Sequence, residues 1–399
     1  MVSIKLKLST SSQHGKKAGI VYQINQGRTL RHINTKYSIL PEEWDSETNS
    51  IRTDIPGKEE EYNDIKEELE LGIQVFKEVE FILNKQKKPY TIDDFIDFYM
   101  EKGHRLTFFG YMQEEIENWK AKNKLRTAET YTTTLYSTKR FFHDKNILLQ
   151  EIDSPMIQKY EQFLLNTGIT RNSTSFYMRI LRAAYNRAVK EGIIEDLTPF
   201  KKVYTGVDET VKIVISEERL KQIKNLDLSI SQDLSWARDM FMFSFYTRGM
   251  SFIDIMFLKK NDFIQDMLLY RRHKNKQQLA IKWEPCMQDI VDRYKSEPDS
   301  PYLLNGIDPK FDERKQYKTL LYKTNQSLKI ISELIGLDFQ LSMNVARHTW
   351  ANLAHEKGVS ATVIGEGLGN DHEDFIRLYL ASMKNPEVDR VSKMLIDDI

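Results

Sequence analysis

The feature that most constrains the fold is a helical periodicity through the middle of the chain. Between Thr91 and Glu191, apolar residues recur every three or four positions, in four or five segments. Ser154-Pro155 has the form of a helix start, an N-cap followed by proline at the first helical position, and Gly192 is a helix stop. This stretch therefore predicts an all-helical domain.

Alternation of apolar and polar residues with a period of two, which is typical of strands, comes before this helical domain. It covers residues 2–9, 19–24 and parts of 29–37. A helix of roughly 59–85 follows, with acidic residues along its solvated face. The start of the chain therefore predicts a small sheet followed by one long helix.

The second half is mostly helical, with one exception. Residues 267–272 and 279–283 alternate like strands around the turn-like tip His273-Lys274-Asn275-Lys276. These residues predict an antiparallel hairpin with a basic tip. The predicted fold class is thus mainly α with small β elements.

Two polar stretches, at 85–89 and around 198–210, are interpreted as linkers. They divide the chain into three predicted domains. Residues 1–88 form a small sheet plus a helix, 89–203 a helical domain, and 204–399 a mostly helical domain with a small antiparallel sheet.

Composition excludes several classes of protein. The single cysteine, Cys286, excludes an intramolecular disulfide, a cysteine-rich zinc module and an iron–sulfur cluster. The first residues contain no apolar run typical of a signal peptide, and no run of about eighteen uncharged apolar residues could span a membrane. We therefore expect a cytoplasmic protein with no membrane partner.

Positive charge is unevenly distributed, although Lys plus Arg and Asp plus Glu both total 58. The first 36 residues contain seven basic residues and no acidic one, and residues 105–202 contain sixteen basic and eleven acidic residues. Such faces can hold a polyanion, although solvated helix surfaces have a similar composition. The side chains predicted to contact a polyanion such as DNA are Lys5, Lys7, Lys16, Lys17, Lys122, Lys124, Arg126, Lys139, Arg171 and Asn172.

Most catalytic signatures are absent from the sequence. There is no glycine-rich phosphate loop, no His-Glu-x-x-His and no Gly-x-Ser-x-Gly. The cluster at 370–374 contains one histidine among carboxylates, and we interpret the acidic residues as helix caps. We therefore predict neither a metal nor a cofactor.

Two arginines stand among apolar residues of the second half. Arg248 ends an apolar helix that Gly249 breaks, and Ser251 with Asp254 predicts a capping box at the next helix start. Arg347 lies within a second apolar segment. A buried guanidinium needs an anionic partner, so the pair indicates either a phosphate clamp or two separate internal ion pairs.

Four motifs in order resemble those of the tyrosine recombinases, or phage-type integrases. They are Arg248-Gly249, a basic hairpin with Lys274, Ala346-Arg347-His348-Thr349, and Gly367-Leu368-Gly369 followed by a tyrosine in Arg377-Leu378-Tyr379-Leu380. The resemblance spans the chain. It implies an arm-site-binding domain at the start, a SAM-like core-binding domain in the middle and a catalytic domain at the end.

The resemblance also implies roles for individual residues. Tyr379 is the nucleophile that forms a 3′-phosphotyrosine, Arg248 and Arg347 hold the phosphoryl group, and Lys274 is the general acid. His348 is a hydrogen-bonding group beside the second arginine.

The sequence departs from the family pattern at two positions where a histidine is common. These are Asn344, three residues before the second arginine, and Asn370, after the Gly-x-Gly motif. An amide cannot accept a proton usefully near neutral pH. His372 can substitute for the missing histidine only if its segment is a loop, because two helical positions rotate a side chain by about 200°.

The implied function is a site-specific recombinase that integrates or excises a mobile element. Two alternatives stay open, a catalytically silent DNA-binding protein on the same fold and a topoisomerase of the tyrosine type. The family further implies double-stranded DNA with core and arm sites as partner and a homo-tetramer on DNA, and it leaves open a DNA-bending host factor. We also expect the tail at 385–396 to dock on a neighbouring protomer.

Overall fold

The computed structural model describes residues 2–9, 16–208, 212–264, 266–369 and 386–399. The chain divides into two compact units, residues 1–209 and 210–399. The finer division into three domains stays a prediction.

The first unit begins with a three-stranded antiparallel sheet in the order β1-β2-β3. Alternate residues of the strands face inward, and Ile20 and Ile24 of β2 are fully buried against a core that includes Phe76 of the following helix. The predicted sheet and long helix are confirmed. The bounds are β1 (Ser3–Leu8), β2 (Ala18–Gln26), β3 (Thr29–Ile39), the short pair β4 (Trp44–Asp45) and β5 (Ser50–Ile51), and α1 (Glu59–Lys85).

A helical layer completes the first unit, as the periodicity predicts. Tyr160, Leu164 and Met178 are at most 2% exposed at the centre of its core. Asp153, one residue earlier than the expected Ser154, caps the helix that begins with Ser154-Pro155. The bounds are α2 (Ile92–Lys102), α3 (Phe108–Ala121), α4 (Leu125–Phe141), α5 (Ser154–Asn166) and α6 (Arg171–Lys190).

The second unit is built around α8, whose residues Met240, Phe241 and Phe243 are fully buried. Helices α11 and α12 pack on α8, and the predicted hairpin forms an antiparallel sheet in the order β6-β7-β8. The mainly α fold class with small antiparallel sheets is confirmed. The bounds are α7 (Glu217–Asn225), α8 (Gln232–Tyr246), α9 (Phe252–Met256), β6 (Phe263–Ile264), β7 (Met267–Arg271), β8 (Gln278–Lys282), α10 (Pro285–Arg293), α11 (Glu313–Leu334), α12 (Met343–Glu356), α13 (Ala361–Leu368) and α14 (Pro386–Asp397).

The C-terminal tail forms helix α14, and its docking on a neighbouring protomer stays a prediction. Helix α14 packs on α12 and α13 of its own unit, with Val388, Val391 and Leu395 at most 5% exposed. The apolar stripe of this amphipathic helix is buried in the same chain, because α12 and α13 offer it a complementary surface.

Among the described residues, no helix is both long and apolar enough to cross a membrane.

Candidate active site

The chain turns sharply at Arg248, directly after α8. Arg248 has φ +60° and Gly249 has φ +70°, a left-handed pair that ends the helix. A Cβ at Gly249 would lie 2.7 Å from Cα and 2.8 Å from Cγ of Arg347. Since only glycine allows this approach, the turn brings the backbone of α12 at Arg347 directly against the end of α8.

Arg347 is held by two backbone carbonyls. Its Nη1 donates to the oxygen of Gly249 at 2.9 Å and its Nη2 to the oxygen of Leu368 at 2.7 Å. Leu368 ends α13, and the last carbonyls of a helix have no partner within it, so the guanidinium caps the negative end of α13. Burial and the nearby Arg272 lower the pKa of Arg347.

Arg347 pairs with no carboxylate among the described residues, so its charge is met only by neutral acceptors and by more distant groups. A phosphate would supply the missing anion.

Arg248, by contrast, already has an anionic partner. Its Nη1 donates to the carbonyl oxygen of Ala280 at 3.0 Å, and its Nη2 is paired with the carboxylate of Asp389 on α14. The residue is 7% exposed, and its Nε has no partner among the described residues. Burial lowers the pKa of Arg248, and Asp389 opposes that shift. Of the two interpretations of the arginine pair, the internal ion pair therefore holds for Arg248 in this conformation.

The hairpin presents its lysine to solvent. Strands β7 and β8 pair from Met267 opposite Lys282 to Arg271 opposite Gln278. At the tip Lys274 is exposed, and it forms no hydrogen bond or ion pair with any residue that the structure describes. An ammonium group without a partner remains available to a ligand.

Asp254 fixes the base of this tip. The carboxylate is 3% exposed and accepts from the backbone N–H of His273 at 2.7 Å and from the Ser251 hydroxyl at 2.5 Å. Burial alone would raise its pKa, but these bonds hold the pKa of Asp254 below its usual value. The predicted capping box is wrong, because the carboxylate turns inward to the hairpin and the Ser251 side chain caps no helix N–H.

Comparison with known proteins agrees with this architecture. Residues 107–203 match the family model of the phage integrase SAM-like domain. A lambda integrase dimer bound to a COC′ core site has a TM-score of 0.52 at 14% identity, over 92% of this chain and 93% of that chain. The chain has the tyrosine-recombinase fold.

Two further lambda integrase structures share this fold. A fragment, solved as a dimer bound to a COC′ core site, has a TM-score of 0.52 at 16% identity, over 67% of this chain and 96% of that chain. A tetramer bound to a Holliday junction has a TM-score of 0.51 at 13% identity, over 88% of this chain and 94% of that chain. No curated protein matches the sequence. At these identities, the likeness shows the fold alone.

Several predicted residues of the tyrosine-recombinase site lie outside the described residues. They are Asn370, His372 and Tyr379.

Asn344 is exposed on the first turn of α12, and His348 is half-buried one position after Arg347. Burial, together with Lys212 and Arg347, lowers the pKa of His348, which favours a neutral ring near pH 7. Among the described residues, no group of three or more His, Cys, Asp or Glu side chains could hold a metal ion.

Two basic residues of the N-terminal sheet, Lys5 and Lys7, lie on its outer face. Lys5 and Lys7 are exposed on β1, opposite Gln23 and Val21 of β2. His32 continues this face on β3, opposite Gln23. Lys16 and Lys17 are exposed just before β2. The two lysines on this face are therefore accessible to a polyanion.

The predicted DNA contacts of the SAM-like domain have varied surroundings. Lys122 lies over the ring of Trp119 at 5.5 Å and Lys139 over that of Phe109 at 5.3 Å. Lys124 is exposed, and Arg126 lies 3.6 Å from Glu129. Surface contacts of this kind contribute little energy, so a phosphate can replace them. These residues remain predicted DNA contacts.

Arg171 and Asn172 contact the linker of their own unit. Asn172 Nδ2 donates to the carbonyl oxygen of Asp208 at 3.0 Å, and its Oδ1 accepts from the Asp208 N–H at 2.7 Å. The Arg171 guanidinium lies over the ring of Tyr204 at 3.8 Å and 3.4 Å from the Asp208 carboxylate. In this conformation both side chains hold the linker against α6, and a DNA contact would require them to exchange partners.

Sequence reasoning missed three residues of the site. Asp254 was assigned only a capping role, and Arg272 and Asp389 were given none. A single carboxylate within the apolar run Phe252-Ile253-Asp254-Ile255 is a signal for a buried polar contact. No comparable signal marks Asp389, which is 141 positions from Arg248.

Proposed function

We propose that this protein is a site-specific DNA recombinase that cuts and rejoins strands through a covalent phosphotyrosine at Tyr379. One observation carries the proposal. The turn at Arg248-Gly249, the capped end of α13 and the hairpin with Lys274 belong to one bonded cluster. Arg347 donates to both Gly249 and Leu368, and Arg248 donates to Ala280 on β8 of the hairpin. Phosphoryl transfer without a cofactor needs such a set of preorganised cations.

The chemistry follows from these groups. The phenol of Tyr379 releases its proton to water as its oxygen attacks the scissile phosphorus, and the bond from phosphorus to the 5′ oxygen breaks. Lys274 donates a proton to that leaving oxygen, while Arg347 and Arg248 neutralise the equatorial oxygens. Attack by the free 5′ hydroxyl on the phosphotyrosine reverses the sequence and rejoins a strand. The ester retains the free energy of the broken bond, so no cofactor is needed.

The other surfaces support binding to long double-stranded DNA. The outer face of the N-terminal sheet fits an arm site, and the basic side chains of the SAM-like domain fit a core site. By analogy with the lambda integrase dimer and tetramer on DNA, we propose a homo-tetramer that acts in the cytoplasm and integrates or excises a mobile element.

A nicked suicide substrate tests this function, because loss of the short 5′ fragment traps the covalent adduct. The wild type should form an adduct that resists denaturation, and Tyr379→Phe should form none. Tyr322→Phe is a matched control, since Tyr322 is 65% exposed on α11. An adduct that persists in Tyr379→Phe, or no adduct with the wild type, would reject the proposal.

A second candidate is a catalytically silent DNA-binding protein on the same fold. The occupied guanidinium of Arg248 and the amide of Asn344 favour it. This candidate predicts site-specific binding without cleavage, and Asn344→His should then leave cleavage undetectable. Cleavage by the wild type would exclude it.

A further inference from the structure

We propose that Arg272 and Asn275 are positioning residues that fix the hairpin tip, and with it Lys274, to the C-terminal end of α13. Both side chains donate to one acceptor, the carbonyl oxygen of Gly369, from Arg272 Nη1 and from Asn275 Nδ2 at 3.3 Å. The inference rests on the proposed function, because it assigns Lys274 the role of general acid.

The backbone conformation of Gly369 and its lack of a side chain allow this contact. It follows α13 with φ +66°, and the carbonyls at a helix end have no partner inside the helix. A Cβ at Gly369 would lie 2.8 Å from Leu279 Cδ1 and 2.9 Å from Arg272 Cδ. The hairpin therefore packs directly on the backbone of Gly369, at the point where the chain leaves α13 toward Tyr379, ten residues later in the sequence.

The backbone is held on both sides of Lys274, while its side chain has no partner in the part of the chain that the structure describes. On one side the backbone N–H of His273 donates to Asp254 at 2.7 Å. On the other side Asn275 contacts Gly369 and also donates to Gln277 Oε1 at 3.1 Å. The loop also closes on itself, since Lys276 N–H donates to the Arg272 carbonyl at 3.0 Å. A misplacement of a catalytic group by about 1 Å can cost about 100-fold in rate, so a fixed backbone at Lys274 favours proton transfer.

Arg272 differs from Arg347 in the groups that surround its guanidinium. Its side chain is 9% exposed, and its Nε lies 3.9 Å from the Asp254 carboxylate, so an anion of the protein already balances its charge. Its Nη1 is bonded to Gly369. This arrangement suits a residue that supports the tip, whereas Arg347 has no such carboxylate among the described residues.

The test compares two suicide substrates, one with an ordinary 5′ oxygen and one with sulfur at that bridging position. A thiolate leaves without a proton, so the sulfur substrate needs no general acid. Arg272→Gln should slow adduct formation on the oxygen substrate by on the order of 100-fold. On the sulfur substrate, Arg272→Gln and Lys274→Ala should both form the adduct at close to the wild-type rate. Arg347→Ala should not recover, and the matched control Arg271→Gln, an exposed neighbour on β7, should behave as the wild type.

Other outcomes would overturn the proposal. Equal losses of rate on both substrates would mean that Arg272 contacts the phosphate or stabilises the unit as a whole. An unchanged rate on the oxygen substrate would mean that Arg272 has no role in cleavage. A second readout does not depend on cleavage. Arg272→Gln should accelerate amide exchange at 273–277 and in the last turn of α13, and unchanged exchange would also refute the tie. If the wild type cleaves neither substrate, the proposed function fails, and exchange still decides whether Arg272 fixes the tip.

Discussion

Replacing Asp389 by asparagine removes the carboxylate that pairs with Arg248 and keeps its shape. Loss of one partner from a fully enclosed ion pair costs about 3–5 kcal/mol. The Asp389 side chain is 26% exposed, so water can partly solvate the arginine, and we expect a loss of about 2 kcal/mol in the free energy of unfolding. Helix α14 should stay docked in this variant, because undocking it would expose Val388, Val391 and Leu395, at a cost of about 1.5–3 kcal/mol for each side chain.

Amide exchange of the second unit measures this effect in the full-length chain. A loss of about 2 kcal/mol corresponds to an open population that is about 30-fold larger. In the proposed reaction the scissile phosphate must displace Asp389 from Arg248. Asp389→Asn should therefore form the suicide-substrate adduct faster, by up to about the same 30-fold.

Asp397→Asn is the matched control on the same helix. Asp397 is 58% exposed and pairs with Lys393 at 3.2 Å, so its loss should change stability by about 0.5 kcal/mol or less. Equal effects of the two substitutions on stability, or slower adduct formation in Asp389→Asn, would refute the reasoning.

Two further predictions concern the core of the second unit. Gly249→Ala should lower stability by about 1–3 kcal/mol, and by more than Gly358→Ala, because Gly358 also has a positive φ but open space around its Cβ. Thermal unfolding measures both, and equal shifts would contradict the steric argument. Burial, assisted by Glu284, raises the pKa of Cys286 to about 11. Iodoacetamide at pH 8 should therefore label Cys286 about 100-fold more slowly in the folded chain than in urea, and comparable rates would contradict this.

The periodicity of apolar residues predicted the helices and strands of the fold. The predicted long helix matches α1, and the alternation at 267–272 and 279–283 matches β7 and β8 to within one residue. The order of motifs also indicated the tyrosine-recombinase fold. Each of these signals lies within a short segment, where the identity of the residues largely determines the backbone.

The contacts of the site depend on residues far apart in the sequence, and periodicity does not report partners. Arg248 meets Asp389, and Arg272 meets Gly369, 97 positions away. Asn172 looked like a surface donor at a helix start, yet it holds Asp208, 36 positions later. A polar residue type predicts that a hydrogen bond forms, but only the tertiary fold decides which group receives it.

The anchored tip has a consequence for the speed of proton delivery. Because the backbone on both sides of Lys274 is bonded, its ammonium group explores space through side-chain rotation alone. Rotations of an exposed side chain take picoseconds to nanoseconds, whereas loop rearrangements extend to microseconds. In the proposed reaction, protonation of the leaving oxygen would then require no loop closure. Slower events, such as synapsis of two duplexes, would limit the rate of turnover.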